Sequence, residues 1–154
     1  MKNEFNLVDF EKSIGPWLGK TVKIVDYYLQ EAFQNAGLDL TKEQMIVLKK
    51  LHEKDGLNQN ELAFLTYRDK SSLARLLAKM ESKKYVIRKQ SAEDKRSNEV
   101  FLTKEGREMF KKTRPVIKSI MDVMEKDVSE EEKQQIIGIL KKVQFSFTAK
   151  AASL

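Results

Sequence analysis

Residues 69–103 read DKSSLARLLAKMESKKYVIRKQSAEDKRSNEVFLT, and the period of the apolar residues changes midway. In the first half Leu73, Leu76, Leu77 and Met80 recur at the i, i+3, i+4, i+7 spacing of one helical stripe. Asp69 stands where such a helix needs a cap, with a carboxylate that can accept from backbone N–H groups two or three residues on. Opposite the leucines lie Ser71, Arg75 and Ser82, with Ala74 and Ala78 beside them and Lys79 at the edge. Short hydroxyls, a guanidinium and small alanines suit the DNA major groove, where base edges are read by hydrogen bonds. In the second half Tyr85-Val86-Ile87-Arg88 and Glu99-Val100-Phe101-Leu102 are short runs rich in β-branched and aromatic residues, the mark of strands. The SAEDKRSN between them is polar and charged, so the two strands read as a β-hairpin with a basic tip. A groove-shaped helix followed by such a hairpin predicts a winged helix-turn-helix.

The neighbouring stretches complete that unit. Asn58 predicts the cap of a short helix over Gln59 to Leu65, with Glu61 completing the cap from three residues on. Leu62, Ala63 and Leu65 are its expected buried residues, and Phe64 and Tyr67 are expected to pad the turn that follows rather than to stand exposed. After the hairpin, Thr103 caps a helix whose stripe is Phe110, Val116, Ile117, Ile120, Val123 and Met124. Pro115 should bend it, since proline removes one helical hydrogen bond and crowds the preceding turn.

Further out, residues 1–9 are polar and expected to fray. A long helix is predicted from Phe10 to about Asn35, carrying Ile14, Trp17, Leu18, Val22, Val25, Leu29 and Phe33, with regular helix from Pro16. Gly37 ends it. Thr41 and Gln44 form a capping box for a helix holding Met45, Val47, Leu48 and Leu51. Ser129 and Glu132 form another, for a last helix with Ile136, Ile137, Leu140, Val143 and Phe147, and residues 148–154 are expected to be loose. The fold class is therefore mainly α with a small β-hairpin wing: six helices, with residues 37–111 as the winged helix-turn-helix and residues 1–36 and 112–154 as a helical dimerisation region. The first helix carries more apolar surface than a short domain can cover. A two-fold dimer would set its reading heads one DNA turn apart, about 34–36 Å.

Composition narrows the function. Cysteine is absent and His52 is the only histidine, which removes thiolate chemistry, imidazole zinc sites and the common nucleophile–base pairs. His52 itself reads as structural or solvent-exposed rather than catalytic. No enzyme signature, cofactor motif, signal peptide or membrane span is visible, so a non-enzymatic cytoplasmic protein without a cofactor is expected. Of the net charge of +6, residues 68–112 carry fourteen Lys or Arg against seven Asp or Glu, and the remainder fifteen against sixteen. All the excess positive charge thus sits on the proposed reading head, the footprint of a nucleic-acid site.

The run LAFLTYRDKSSLARLLAKMESKKYVIRKQSAEDKRSNEVFLTKEG, residues 62–106, resembles the MarR family of bacterial transcription regulators. The most specific part is Glu93-Asp94-Lys95-Arg96, then a strand, then Leu102-Thr103-Lys104-Glu105-Gly106. The resemblance implies that Arg96 enters the minor groove and that Asp94, two residues before it, holds it in place. With the recognition helix, the expected DNA-binding set is Lys70, Ser71, Ser72, Arg75, Lys79, Asp94, Lys95 and Arg96. It also implies that the first helix pairs with its copy in a homodimer on a pseudo-palindromic double-stranded operator, as a repressor released by a small molecule. Trp17, Tyr27 and Tyr28 are candidates to line a pocket for a small aromatic ligand, although aromatics at helical spacing are more often core. The alternative is a winged helix used for protein contact, without specific DNA binding. Some relatives sense oxidants through cysteine or metals through histidine, and this chain is expected to do neither. Two positions depart from the family: Lys84 replaces the glycine that usually ends the recognition helix, and Tyr67 the one in the turn before it. A non-glycine residue at a left-handed cap costs roughly 1–2 kcal/mol, so either the backbone turns differently there or packing elsewhere tolerates the strain.

Overall fold

The computed structural model describes residues 7–152, in two compact units that meet in sequence between Ile117 and Lys118. The expected fraying of residues 1–6 and looseness of 153–154 lie outside the described residues. Among the described residues there are six helices and one three-stranded sheet.

In the first unit, α1 runs Ile14–Asn35 from an extended Ser13. Pro16 is its third residue, still in the first turn, where backbone N–H groups have no intrahelical acceptor; the helix therefore starts two residues before the proline. Only Leu29 and Phe33 of α1 are buried, while Ile14, Trp17, Val22, Ile24, Tyr27 and Tyr28 are about half exposed or more. Gly37 ends the helix at φ +71°, with Leu38 N–H donating to Phe33 O and Gly37 N–H to Gln34 O. α2, Lys42–Glu53, opens on the expected capping box: Thr41 and Gln44 exchange backbone-to-side-chain hydrogen bonds of 3.2 Å in both directions. Its Val47, Leu48 and Leu51 are fully buried. The exposed ring of His52 lies 4.7 Å from that of buried Phe110, a packing contact.

Sequence reading missed one strand. β1, Leu57–Asn58, β2, Val86–Gln90, and β3, Asn98–Leu102, form an antiparallel sheet in the order β1-β3-β2. Leu57 faces Val100 across β1 and β3, and the hairpin register runs from Val86↔Leu102 to Gln90↔Asn98. α3, Gln59–Leu65, and α4, Lys70–Ser82, pack with the sheet around a core of Leu57, Leu62, Ala63, Leu73, Leu77, Met80, Val86 and Val100. Truncating one such leucine to alanine costs about 2–5 kcal/mol, so Leu73 and Leu77 each contribute a large share of this unit's stability. Leu65, expected inside, is 41% exposed.

α5 spans Lys104–Glu125 and continues through Pro115. Thr103 caps it as expected, accepting from Gly106 N–H at 2.9 Å. Gly106 is required sterically, because a Cβ there would lie 2.1 Å from the carbonyl oxygen of Tyr85. The second unit holds the end of α5 and α6, Glu130–Ala152, so the expected loose tail is helical at least to Ala152. Ser129 and Glu132 close the second capping box with bonds of 3.0 and 3.1 Å. Hydrogen bonding from the Ser129 backbone N–H, and then from its hydroxyl, holds the Glu132 carboxyl below its usual range. Ile136, Ile137, Ile139, Phe145 and Phe147 stand exposed along α6.

Candidate nucleic-acid interface

Helix α4 is built to present one face. Leu73, Leu77 and Met80 are buried, whereas Lys70, Ser71, Arg75, Ala78, Lys79 and Ser82 are exposed. The N-terminus is set by Asp69, whose carboxylate accepts from Ser72 N–H at 2.7 Å. Ser72 itself is half-buried, and its hydroxyl accepts from the Arg68 guanidinium at 2.9 Å. Ser72 therefore differs from its predicted partners: it links the turn to the helix, while Lys70, Ser71, Arg75 and Lys79 point outward. Ser82 donates its hydroxyl back to Lys79 O at 2.6 Å.

Both departures from glycine take up the left-handed backbone that glycine would have suited. Tyr67 has φ 51° and Lys84 φ 65°. At each, the helix before it ends in the same paired hydrogen bonds. Tyr67 N–H donates to Phe64 O and Arg68 N–H to Ala63 O; Lys84 N–H donates to Glu81 O and Tyr85 N–H to Met80 O. Around Lys84 the cost is offset by packing. Tyr85 and Met80 are both buried, and the Tyr85 hydroxyl donates to Asp39 O at 2.8 Å. Burial, with the Asp39 charge behind it, raises the Tyr85 phenol above its ordinary value. Lys83 joins the same corner, 3.0 Å from the Asp39 carboxylate and 3.0 Å from Gln44 Oε1. Tyr67 and Phe64 do not pad the turn: they are 89% and 79% exposed.

The wing is a short hairpin with a closed tip. Across residues 91–97, Ser91 N–H donates to Ser97 O and Ser97 N–H to Asp94 O, while the buried Ser91 hydroxyl accepts from Glu93 and Asp94 N–H. Asp94 Oδ1 accepts from the Arg96 backbone N–H at 3.0 Å, a contact to the main chain and not to the guanidinium. Among the described residues no ion pair joins the two side chains. Lys95 and Arg96 are exposed at the tip.

Three contacts that sequence reading missed fix the wing to the helices. Asn58 accepts from Asn60 N–H at 2.8 Å as the cap of α3 and donates through Nδ2 to the Ser97 hydroxyl at 2.9 Å. The Arg88 guanidinium in β2 grips Glu81 on α4, with Nε 2.6 Å from Oε1. Asp55 accepts from Leu102 N–H at 2.9 Å and pairs with Arg107 at 3.0 Å, pinning the root of β3 to the start of α5. Each partner is polar and isolated in sequence, so periodicity carries no trace of it; only the Asn58 cap was legible. The described surface thus holds an outward row on α4 and a basic wing tip in one compact unit, a shape and charge that fit a duplex groove.

Of the aromatics proposed for a ligand pocket, Trp17 and Tyr27 line separate clefts. Trp17 lines a cleft of about 450 Å³ with Phe10, Glu11, Pro16 and Lys20. Tyr27 lines another, of about 340 Å³, with Lys23, Asp26, Gln30, Lys42 and Glu43. The Tyr27 and Tyr28 rings meet edge-on at 5.3 Å. No helix among the described residues is long and apolar enough to cross a membrane.

Comparison with known proteins converges on one family. The sequence model of the MarR family matches residues 40–98, from the start of α2 to the wing. The transcriptional regulator HosA of Escherichia coli O157:H7 is 32% identical over 105 residues, 68% of this chain and 78% of that one. Among solved structures, the transcriptional repressor CouR bound to a 23-mer DNA duplex superposes with a TM-score of 0.81, covering 92% of this chain and 99% of that one at 20% identity. The PcaV regulator of Streptomyces coelicolor, in complex with its natural ligand, gives a TM-score of 0.77 over 89% and 95% at 20% identity. The two structures share the fold, and HosA shares enough sequence to place the protein: the chain belongs to the MarR family of winged helix-turn-helix DNA-binding transcriptional regulators.

Proposed function

We propose that this protein is a homodimeric, sequence-specific repressor of the cytoplasm that binds a pseudo-palindromic operator and leaves it when a small molecule binds. The observation that carries the reading is the exposed row of Lys70, Ser71, Arg75 and Lys79 on α4, opposite buried Leu73, Leu77 and Met80. In this reading that row enters the major groove, Ser72 orients the helix start, and Lys95 and Arg96, with Asp94 shaping the tip, enter the adjacent minor groove. Residues 37–111 serve as the reading head, and residues 1–36 and 112–154 join two copies.

Repression and release by a ligand are supported by what the similar proteins are described as doing: CouR is a repressor found on DNA and PcaV a regulator found with a ligand. The cleft beside Tyr27, where Lys42 pairs with Asp26 at 2.8 Å and Lys23 and Glu43 complete a charge-balanced wall, is the candidate seat for a small aromatic ligand. Footprinting on the DNA upstream of the protein's own coding sequence tests the reading. A protected segment with two-fold symmetry, bound with an affinity that falls steeply with salt, is the expected result, because phosphate neutralisation releases counterions. Salt-independent or sequence-indifferent binding would favour a protein-contact module instead.

A further inference from the structure

We propose that Tyr67, in the turn of the helix-turn-helix, is a DNA-contacting residue whose phenol hydroxyl donates to a backbone phosphate beside the recognition helix. The inference rests on the proposed DNA reading and extends it to a residue outside the recognition helix and the wing.

Two independent observations carry it. The first is energetic: Tyr67 sits at φ 51°, in the left-handed region that disfavours any residue with a Cβ, whereas Gly37 takes the corresponding place after α1 without that cost. The second is that the side chain returns nothing to the fold. It is 89% exposed, and among the described residues no hydrogen bond ends on its hydroxyl. Lys84, at the other left-handed corner, is exposed too, and both corners are supported by neighbours: Tyr85, Met80 and the Lys83–Asp39 pair there, the Arg68–Ser72 contact and the Asp69 cap here. What sets Tyr67 apart is a large ring and a phenol that none of these contacts uses. A backbone outlier with an idle aromatic side chain points from strain to function.

The location supplies the function. Tyr67 stands two residues before the Asp69 cap of α4 and four before Ser71, between the helix that crosses the DNA backbone and the one that enters the groove. Its neighbours Arg68 and Lys70 outweigh the capping Asp69 between them, leaving one net positive charge at that spot. The element a turn of this kind passes is a sugar–phosphate strand. A phenol reaches farther than serine and donates one O–H, so it can meet a phosphate oxygen while the ring lies along the sugar.

The test uses the full chain with Tyr67→Gly, Tyr67→Asn and Tyr67→Phe, measured on the footprinted duplex and on a random duplex of the same length. Tyr67→Gly should raise the melting temperature by roughly 2–4 °C, because the left-handed cost disappears. The same variant should bind both duplexes roughly tenfold more weakly, by the same factor on each, since a phosphate contact carries no sequence information. The slope of affinity against salt should stay unchanged, because no cation has been lost. Tyr67→Asn also tolerates left-handed backbone, so an equal loss there removes loop flexibility as the cause. Tyr67→Phe keeps the ring and should lose most of the affinity. If Tyr67→Phe binds like the parent, or Tyr67→Gly gains stability at no cost in binding, the assignment is wrong and the DNA reading stands. If the parent chain binds neither duplex, the DNA reading fails and the assignment fails with it.

Discussion

Asp94 is bound to the main chain of Arg96 rather than to its guanidinium, and this decides what substitution there should do. Asp94→Asn keeps an oxygen that can accept from Arg96 N–H, so operator affinity should stay within about twofold of the parent. Asp94→Ala removes the acceptor, frees the tip and should weaken binding, although it also removes a negative charge near DNA. If Asp94→Ala binds more tightly at every salt concentration, charge outweighs shape and the positioning role is lost. For Arg96, alanine should lose most and lysine should fall between, with the larger loss on A·T-rich flanks, whose narrow minor groove attracts a guanidinium. Arg75→Ala has a different signature. A bidentate pair to guanine is worth about 1–3 kcal/mol of discrimination, so the preference for operator over random duplex should flatten. An equal loss on both duplexes would reduce Arg75 to a phosphate contact.

At the scale of the element, the turn from the wing into α5 depends on one missing methyl group. Gly106 lies so close to the Tyr85 carbonyl that Gly106→Ala must push α5 away from the turn between α4 and β2, breaking the Thr103 cap and the Thr103 N–H to Tyr85 O bond of 3.1 Å. A loss of about 3 kcal/mol or more in stability is expected by chemical denaturation, against under 1 kcal/mol for alanine at Gly19, where nothing lies within 4 Å. The elements themselves were largely legible. Helices α1 to α6 follow from 3.6-residue periodicity and caps at Thr41, Asp69, Thr103 and Ser129, because both are local in sequence. The β1 strand was not legible, since two residues cannot show a period and its pairing partner lies some forty residues away, at Val100 and Glu99. The burial of Leu65 and the padding by Phe64 and Tyr67 were misjudged for a related reason. On a seven-residue helix the apolar stripe is too short to say which side faces the core. At Lys84 and Tyr67 the sequence showed the cost but left the conformation open, and the paired hydrogen bonds at the two helix ends explain why the left-handed backbone prevails.

For the molecule as a whole, the exposed apolar residues of α1 and α6 bear on assembly. Ile14, Trp17, Val22, Ile24 and Tyr28 on α1, and Ile136, Ile137, Ile139, Phe145 and Phe147 on α6, are each 44–73% exposed. Monomers rarely leave contiguous apolar patches beyond a few hundred Å² open to water, so the proposed dimer should exist at micromolar concentration without DNA, as sedimentation can show. Ile137→Glu with Leu140→Glu places charge on that surface of α6, where desolvating it against a partner is prohibitive. The pair should sediment as a monomer while the winged helix, whose core uses neither residue, keeps its helical circular dichroism. Losing one of two linked reading heads removes avidity of roughly a hundredfold to ten-thousandfold on the operator. It should also halve the slope of log affinity against log salt, because half the phosphates are neutralised. These two readouts separate assembly from damage: a misfolded head would lose affinity without leaving a clean half-slope. A variant that is monomeric yet keeps the full slope and full operator affinity would show that one copy reads the site alone, and the two-fold arrangement would have to be abandoned.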